Sequence, residues 1–547
     1  MIDKNETVYI TGHIHPDTDS VVSAIAYAFF KRTQGYKAVP CRLGQLNAET
    51  AWLLKKFDYE PPMVLEDARK TLAEIDLDPP ASITPETTIY ETIMKMQKEG
   101  SVALAVVDQK GEVVGMVTKS DLTSVGLGDT AGGIELLKNT SIDSICKTIS
   151  GKMIYRDVKF HLNGKVSIIA LTKTKLENYE IKDRIVIVGD DPEAQKALIE
   201  KGAGLLIAVW AEGIEDSVIE TAKKHHCPVI ISGHGSMNTS RYIYFAPPVR
   251  FVMSKNIVTL HTTELAEDAA RKMMNSRFRT YPVVDQEGHL KGYAGRYHMM
   301  NYKNKQIILV DHNEFSQSVR AVEKAQLMEV VDHHRICDFA TSQPVSFRNE
   351  IVGSTATIIA TMFRENQIPM PKNLASILLG AVLSDTLIFQ SPTTTPKDIE
   401  TANILAALAD LDIEAFGHEM FTVSSDNGDK SLTELLSQDV KHFEIRTCHT
   451  MISQIMVKSL EDIRARAEDI QEDLNRFAEK KGTDLFVAAF TSVNDKGSVF
   501  FYAGDKAVWM DEAYPDNPGE VHSIQKGILS RKQQILPRIT EVVNRHA

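Results

Sequence analysis

The feature that most constrains this chain is a set of apolar runs that end in acids and histidines. In Met328-Glu-Val-Val-Asp-His-His-Arg335 a strand-like run ends directly in Asp332, His333 and His334. Three consecutive polar side chains at the end of a buried strand cost desolvation unless each finds a partner. Three further runs end in the same way. Thr7-Val-Tyr-Ile-Thr-Gly12 leads into His13-Ile-His-Pro-Asp17-Thr-Asp19-Ser20, Lys305-Gln-Ile-Ile-Leu-Val310 into Asp311-His-Asn-Glu314, and Ile377-Leu-Leu-Gly-Ala-Val-Leu-Ser384 into Asp385. An open parallel sheet binds ligands just beyond the carboxyl ends of its strands. Read as strands, the four runs predict an α/β fold in which Asp17, Asp19, Asp311, His333 and Asp385 converge in one cleft. Asp17 and Asp19 alternate, which in an extended loop points both to one side. Imidazole and carboxylate together suit manganese, cobalt or zinc better than magnesium. Asp17, Asp19, Asp311 and Asp385 bring four negative charges, which repel when packed together and which two divalent cations cancel.

These motifs, in this order, resemble the DHH phosphoesterase superfamily: His-x-His-Pro-Asp-Thr-Asp-Ser, Val-Asp-His-Asn-Glu, Val-Asp-His-His-Arg and Leu-Ser-Asp-Thr. The late Ser530-Arg531-Lys532-Gln533 narrows the resemblance to the manganese-dependent family II inorganic pyrophosphatases. The resemblance covers residues 1 to about 65 and about 305 to the end. It implies a two-domain enzyme, with a parallel-sheet N-terminal domain and a smaller α/β C-terminal domain. It implies two manganese or cobalt ions per active site, with additional magnesium arriving with pyrophosphate. One ion goes to His13, Asp17 and Asp311, and the other to Asp19, Asp311, His333 and Asp385, with Asp311 bridging. A hydroxide held between the metals attacks phosphorus. Lys441, Arg531 and Lys532 neutralise the phosphoryl oxygens from the opposite side, while His334 hydrogen-bonds the substrate or donates a proton. A homodimer is expected on the same ground.

Composition narrows the setting. At 547 residues, length suggests three or four domains. A net charge of -12 with no long basic stripe argues against a nucleic-acid partner. The five cysteines lie far apart with no Cys-x-x-Cys pair, as in reduced cytosolic proteins. No apolar leader opens the sequence and no apolar run approaches about 18 residues, so a cytoplasmic chain without a membrane span is expected.

Between the two halves of the motif set the chain repeats itself. Ala105-Val-Val-Asp-Gln-Lys-Gly-Glu-Val-Val-Gly-Met-Val-Thr118 aligns with Pro282-Val-Val-Asp-Gln-Glu-Gly-His-Leu-Lys-Gly-Tyr-Ala-Gly295, each preceded by an amphipathic helix pattern. The pair resembles two CBS motifs, which form a nucleotide-sensing module. Thr118 and Asp121 match that family's ribose-and-phosphate signature, with Ser101 beside them. In the second copy Thr becomes Gly295 and Asp becomes His298, while Arg277 and Arg279 flank Phe278 in a way that suits phosphates and a stacked adenine. The resemblance implies regulation by AMP, ADP, ATP or diadenosine polyphosphates. Between the copies, strand and helix patterns alternate from Arg184 to Gly233, an α/β unit that partly resembles a DRTGG domain.

The expected organisation is a split catalytic domain at 1–65 and 305–422, a first CBS motif at 66–128, and a DRTGG-like domain at 129–247. A second CBS motif follows at 248–304, then a hinge linker at 423–429 and a substrate-binding domain at 430–547. The sensing block looks inserted into a surface loop, where insertions are tolerated. The small residues of Ile351-Val-Gly-Ser-Thr-Ala-Thr-Ile358 read as a helix start able to hold an anion. Two rival readings stand beside hydrolysis of pyrophosphate. One is another DHH phosphoesterase acting on short oligonucleotides or cyclic dinucleotides. It calls for a Gly-Gly-Gly-His type motif, whereas the adjacent glycines here are Gly132-Gly133, inside the insertion. The other is a catalytically dead nucleotide sensor, against which the intact ligand set argues.

Overall fold

The computed structural model describes residues 6–127, 130–169, 179–337, 340–341, 343–425, 431–438, 440–517 and 522–546. It divides into two compact units, Met1–Arg69 with Lys303–Ala547, and Lys70–Tyr302.

The first unit is built on a six-stranded sheet. Its order is Ser346–Asn349, Gln326–Asp332, Gln306–Val310, Thr7–Thr11, Lys37–Arg42, Met63–Val64, with every neighbouring pair parallel. Alternate residues serve opposite faces, as the pleat requires. Val8, Ile10, Ile308, Val310 and Val331 enter a large core with Tyr27, Phe30 and Phe363. Cys41, Ile307, Leu309 and Val330 enter a second core with Leu65 and Val319 on the other face. Burial on both faces explains why these strands read as continuous apolar runs.

The run ending in Asp385 is not a strand. Residues Lys372–Thr386 form a helix that packs on Thr18–Thr33, Thr355–Glu365 and Pro396–Ala409. Leu374 to Leu383 are all buried, so the helix shows no amphipathic period and its sequence cannot be told from a buried strand. Asp17 and Asp19 do not lie in an extended loop either. Asp17 is the N-cap of the helix Thr18–Thr33, its side chain accepting from Ser20 N at 2.9 Å, and Asp19 sits in that helix's first turn.

The C-terminal part carries a five-stranded mixed sheet, Val440–Ile445, Cys448–Met456, Leu485–Ser492, Gly497–Ala503 and Gln525–Lys526 in that order. The helix Ala467–Lys481 covers one face and Leu536–His546 the other. The stretch read as a hinge begins inside the helix Ile413–Ser424, which takes up Val423 and Ser424; residues 426–430 lie outside the described residues. No described helix is long and apolar enough to cross a membrane.

In the second unit each repeat forms a three-stranded sheet, Ser82–Ile83, Ala103–Val107, Val113–Thr118 and Leu260–His261, Thr280–Val284, Leu290–Gly295. The segments leading into the two copies are exchanged. Leu72 N and Ala73 N donate to Glu264 O and Thr262 O of the second copy, while Val249 N donates to Thr87 O of the first and Ser254 pairs with Met116. Between the copies a sheet of order Lys152–Tyr155, Val229–Ile231, Leu205–Ala208, Ile185–Val188, Val166–Ile169 has four parallel strands and Lys152–Tyr155 antiparallel at its edge.

The two chain crossings at the unit boundary lie side by side. Lys305 N donates to Ala68 O at 3.2 Å, Lys305 Nζ to Arg69 O at 2.6 Å, and Ala68 N to Arg320 O at 2.9 Å. Ends this close need only a short bridge. Replacing 70–302 by a short Gly/Ser linker is expected to leave one cooperative unfolding transition. Its Tm should lie within about 5 °C of that of the same unit in the full chain, as differential scanning calorimetry would read.

Candidate metal centre and substrate cleft

The strands Thr7–Thr11 and Gln306–Val310 are neighbours at the centre of the sheet, where the strand order reverses. Crevices form at such switch points beyond the carboxyl ends. His13 follows the first of these strands and Asp311 the second, while Asp332, His333 and His334 end the strand Gln326–Asp332. Asp385 comes from the last turn of the helix Lys372–Thr386. The structure brings these together in three groups whose ligand atoms lie within 4.8 Å of one another: His13, Asp17 and Asp311; Asp19, Asp311, His333 and Asp385; Asp311, His333 and His334. Asp311 belongs to all three. His13 Nε2 lies 3.2 Å from Asp17 Oδ2 and 3.4 Å from Asp311 Oδ2, and His333 Nε2 lies 3.5 Å from Asp311 Oδ1 and 3.7 Å from Asp385 Oδ2.

Local geometry fixes each side chain. Gly12 admits no side chain, since a Cβ there would fall 1.8 Å from Ser20 Oγ, the group that accepts from His13 N. Asp311 adopts a left-handed backbone, φ 61°, which Asp tolerates better than most residues. Asp332, fully buried, belongs to none of the three groups and instead bonds the loop beside them. It accepts from His333 N at 2.7 Å, from His334 N at 3.0 Å and from Asn313 Nδ2, and it pairs with His334 Nδ1 at 2.9 Å. It shapes the loop that presents the two histidines. His333 Nδ1 lies 3.0 Å from the Val352 carbonyl, which sets its proton on Nδ1 and leaves Nε2 free to ligate.

The helix start at 351–358 does hold an anion, and the anion is the protein's own. Asp19 accepts from Thr355 N at 2.6 Å, Ala356 N at 2.9 Å and Ser354 Oγ at 2.8 Å, so this N-terminus is closed to substrate. Thr355 Oγ1 also donates to Asp311 Oδ1 at 3.0 Å. One residue thus ties the carboxylates of both metal groups to the same turn. Sequence reading gave no role to Thr355 or Asn313; the signal for the first was the small-residue helix start, and for the second its place in the Asp311-His-Asn-Glu314 motif.

The electrostatics match a cation site. Burial pushes the Asp19 carboxyl up to about 7, and the neighbouring Asp311 charge adds to it. Asp385 is raised well above the ordinary range by burial and by Asp19, Asp17 and Asp311. Burial opposes charge on His13 and His333, yet Asp17 and Asp311 raise the first to about 10, and Asp311 and Asp19 raise the second to about 9. Imidazolium thus fills part of the cation role, which is what a donor set built for divalent metal does without it. His334 goes the other way: burial lowers it, so its imidazole is neutral.

Across the cleft stand the predicted cations. Lys441, Arg531 and Lys532 line one cavity with His334 and Asp385, and Lys441 and Arg531 also line a second cavity with His15, Asp17, Asn47 and Glu49. Arg531–Ile535 form a single π turn at the head of the helix Leu536–His546, where the dipole disfavours positive charge. Gln534 holds that turn, its Oε1 accepting from Leu529 N and Ser530 N at 2.9 Å each. Lys532 interacts electrostatically with Asp311, Asp385 and Asp332.

In the second unit Arg277, Phe278 and Arg279 line a cleft with Asp78, Gly295, Arg296, Tyr297 and His298. Ser101, Thr118 and Asp121 do not line it. Asp121 accepts from Thr118 N at 2.8 Å and Thr118 Oγ1 at 2.7 Å, closing its own turn. His298 closes the matching turn by accepting from Gly295 N at 3.0 Å. The Asp-to-His change therefore keeps the local cap, and Arg296 adds a cation that sequence reading had not singled out.

Two outcomes are expected. Thr355→Val, which removes the donor to Asp311, should weaken metal binding roughly 10- to 100-fold by calorimetry, with Thr355→Ser near wild type. The second concerns pH. The raised His13 contributes stability that is complete below its ordinary value of 6.5 and lost as pH rises through about 10. Asp19, whose charged form is the penalised one, acts in the same direction but in a lower window, from its ordinary 3.8 to about 7, so the loss above pH 7 comes from His13. Melting curves of the metal-free chain should therefore fall between pH 7 and 10, the metal-loaded chain should not, and metal uptake below pH 10 should release protons.

The DHH family, N-terminal domain, matches residues 7–382, and the DHHA2 domain matches residues 418–542. A cobalt-dependent inorganic pyrophosphatase of Clostridium perfringens is 34% identical over 541 residues, 98% of each chain. A protein of Thermotoga maritima named a probable manganese-dependent inorganic pyrophosphatase is 34% identical over 545 residues, 99% of each. The solved CBS and DRTGG domains of the regulatory region of Clostridium perfringens pyrophosphatase, complexed with the activator diadenosine tetraphosphate, cover 41% of this chain and 99% of their own, with 29% identity and a TM-score of 0.38. With family and relatives matched from end to end around this donor set, the chain belongs to the DHH family and, within it, to the manganese- and cobalt-dependent inorganic pyrophosphatases.

Proposed function

We propose that this chain hydrolyses inorganic pyrophosphate to two phosphates at a two-metal site, under the control of adenine nucleotides. The observation that carries the reading is two groups of metal-competent side chains sharing Asp311, with Lys441, Arg531 and Lys532 lining the same cleft. His13, Asp17 and Asp311 would hold one manganese or cobalt ion, and Asp19, Asp311, His333 and Asp385 the other; magnesium would accompany the substrate. When bound, such a metal pair neutralises phosphoryl charge and lowers the pKa of water toward neutrality.

The chain's own residues do the rest. Lys441, Arg531 and Lys532 hold the phosphoryl oxygens and offset the charge that gathers on the leaving phosphate. Neutral His334 donates a hydrogen bond from Nδ1–H to Asp332 and keeps the proton, so its Nε2 accepts a hydrogen bond from a protonated phosphate oxygen or water in the cleft. Asp332 and Asn313 keep that ring in place. The catalytic domain is 1–65 with 305–422, and 430–547 binds substrate. The sensing block comprises CBS motifs at 66–128 and 248–304 around a DRTGG-like domain at 129–247.

Nucleotide binding rests on Arg277, Phe278, Arg279 and Arg296, whose guanidinium groups and exposed ring suit phosphates and a base. Ser101, Thr118 and Asp121 lie outside that cleft, and the ribose contact they would offer belongs to a separate site on the first repeat. Five cysteines, all free, suit the cytoplasm. The open sheet edge at Ser346–Asn349, with Phe347 and Ile351 exposed, is the surface we assign to a homodimer.

The deciding assay is phosphate release from pyrophosphate with manganese, cobalt or magnesium, beside a short oligonucleotide. Release from pyrophosphate alone is expected; cleavage of only the oligonucleotide would overturn the reading. Arg531→Ala should lower kcat/KM on the order of 10²-fold while two metals still bind. Arg277→Ala should abolish the response to adenine nucleotides with basal turnover unchanged, and calorimetry with AMP, ATP and a diadenosine polyphosphate identifies the regulator.

A further inference from the structure

The helix Ala48–Lys56 carries a buried acid that the reaction does not use. Glu49 is 5% exposed, and no ion pair reaches it among the described residues. It lies outside every group of metal-competent side chains. Its Oε1 accepts from two hydroxyls, Thr18 Oγ1 at 2.6 Å and Ser384 Oγ at 2.5 Å. Thr18 stands between Asp17 and Asp19, and Ser384 stands directly before Asp385. A single oxygen therefore joins the start of one ligand-bearing helix to the end of another.

Both helix ends need such a tie. Asp19 and Asp385 bring ligand oxygens within 4.8 Å of each other, and like charges that close repel. Beyond Asp385 the chain passes through three successive left-handed residues, Leu387 at φ 50°, Ile388 at 51° and Phe389 at 63°. A β-branched residue in that region is strained, so the end of the helix leans on neighbouring elements to stay in place. A carboxylate with no cation is a costly filler for a buried position, and it earns its place only through what it accepts. Both bonds converge on one oxygen; the residue also lines the cleft beside Asp17 and Asn47.

We infer that Glu49 is a positioning residue that sets the distance between the Asp17–Asp19 pair and Asp385 through the hydroxyls of Thr18 and Ser384. The inference rests on the two-metal reading above. It acts on metal spacing and not on the reacting atoms. Loss of Glu49 should therefore weaken the ion held by Asp19, His333 and Asp385 and spare the one held by His13.

Titration of the full-length chain with manganese by calorimetry tests this. Glu49→Ala is expected to lower the affinity of one of the two ions roughly 10- to 100-fold. Turnover of pyrophosphate should return at saturating manganese, with KM near that of the wild type. Glu49→Gln keeps the accepting oxygen and should restore most of the affinity. Ser384→Ala, which removes one hydroxyl and leaves the acid, should weaken the same ion; it also serves if Glu49→Ala does not fold. Unchanged affinities in Glu49→Ala, or equal losses in the Ala and Gln variants, would overturn the inference. A wild-type chain binding fewer than two manganese ions would instead defeat the two-metal reading itself.

Discussion

Four carboxylates forced together at the carboxyl ends of a parallel sheet are the constraint around which this molecule is arranged. Asp19 and Asp311 are almost wholly buried and Asp385 is pressed against both. Charge at that density is unfavourable in any folded protein without cations, and the surrounding structure shows where the opposition is absorbed. His13 and His333 take protons, the turn at Ser354–Ala356 points its N–H groups at Asp19, and Thr355 donates to Asp311. Each of these devices offsets part of the charge and leaves the ligand oxygens close together. The negative site is therefore partly neutralised before any metal arrives.

The second domain completes the opposite half of the charge pattern. Arg531 and Lys532 sit on a π turn at a helix start, where intrinsic preference is against them, and Lys441 faces the cleft from the strand Val440–Ile445. Gln534, bonded to Leu529, Ser530 and Gly527, stabilises that unfavourable arrangement. Acid is thus concentrated on one wall of the cleft and base on the other, and a small polyanion with bound cations is complementary to both.

Much of this was legible in the sequence. The convergence of acids and histidines could be read because such residues at the ends of apolar runs have few structural reasons to exist, and Asp311, His333 and Asp19 do come together as candidate ligands. What sequence could not supply was the secondary structure of the run before Asp385: burial on every side erases the period that distinguishes helix from strand. Nor could it show that the helix start at Thr355 serves Asp19. A small-residue N-terminus attracts anions without saying whose. The roles of Thr355, Asn313 and Glu49 were hidden because each acts through its neighbours, and a lone Thr, Asn or Glu carries no pattern. The exchange of leading segments between the repeats was hidden for a related reason, since repeats are found by similarity along the chain and not by which copy a segment packs upon.

The pairing of Thr7–Thr11 with Gln306–Val310 sets a timetable for biosynthesis. The central strand of the sheet emerges from the ribosome first, and its partner follows roughly 300 residues later, a wait of roughly 15 to 60 s at ordinary rates of translation. During that interval the nascent chain holds an apolar strand with one open edge and a helix whose Asp17 and Asp19 have none of their later neighbours. The intervening unit has its own cores and returns the chain to the place it left, Lys305 against Ala68. By closing on itself, that segment turns a long delay into a short reach, and the nascent strand waits for a partner delivered to its side.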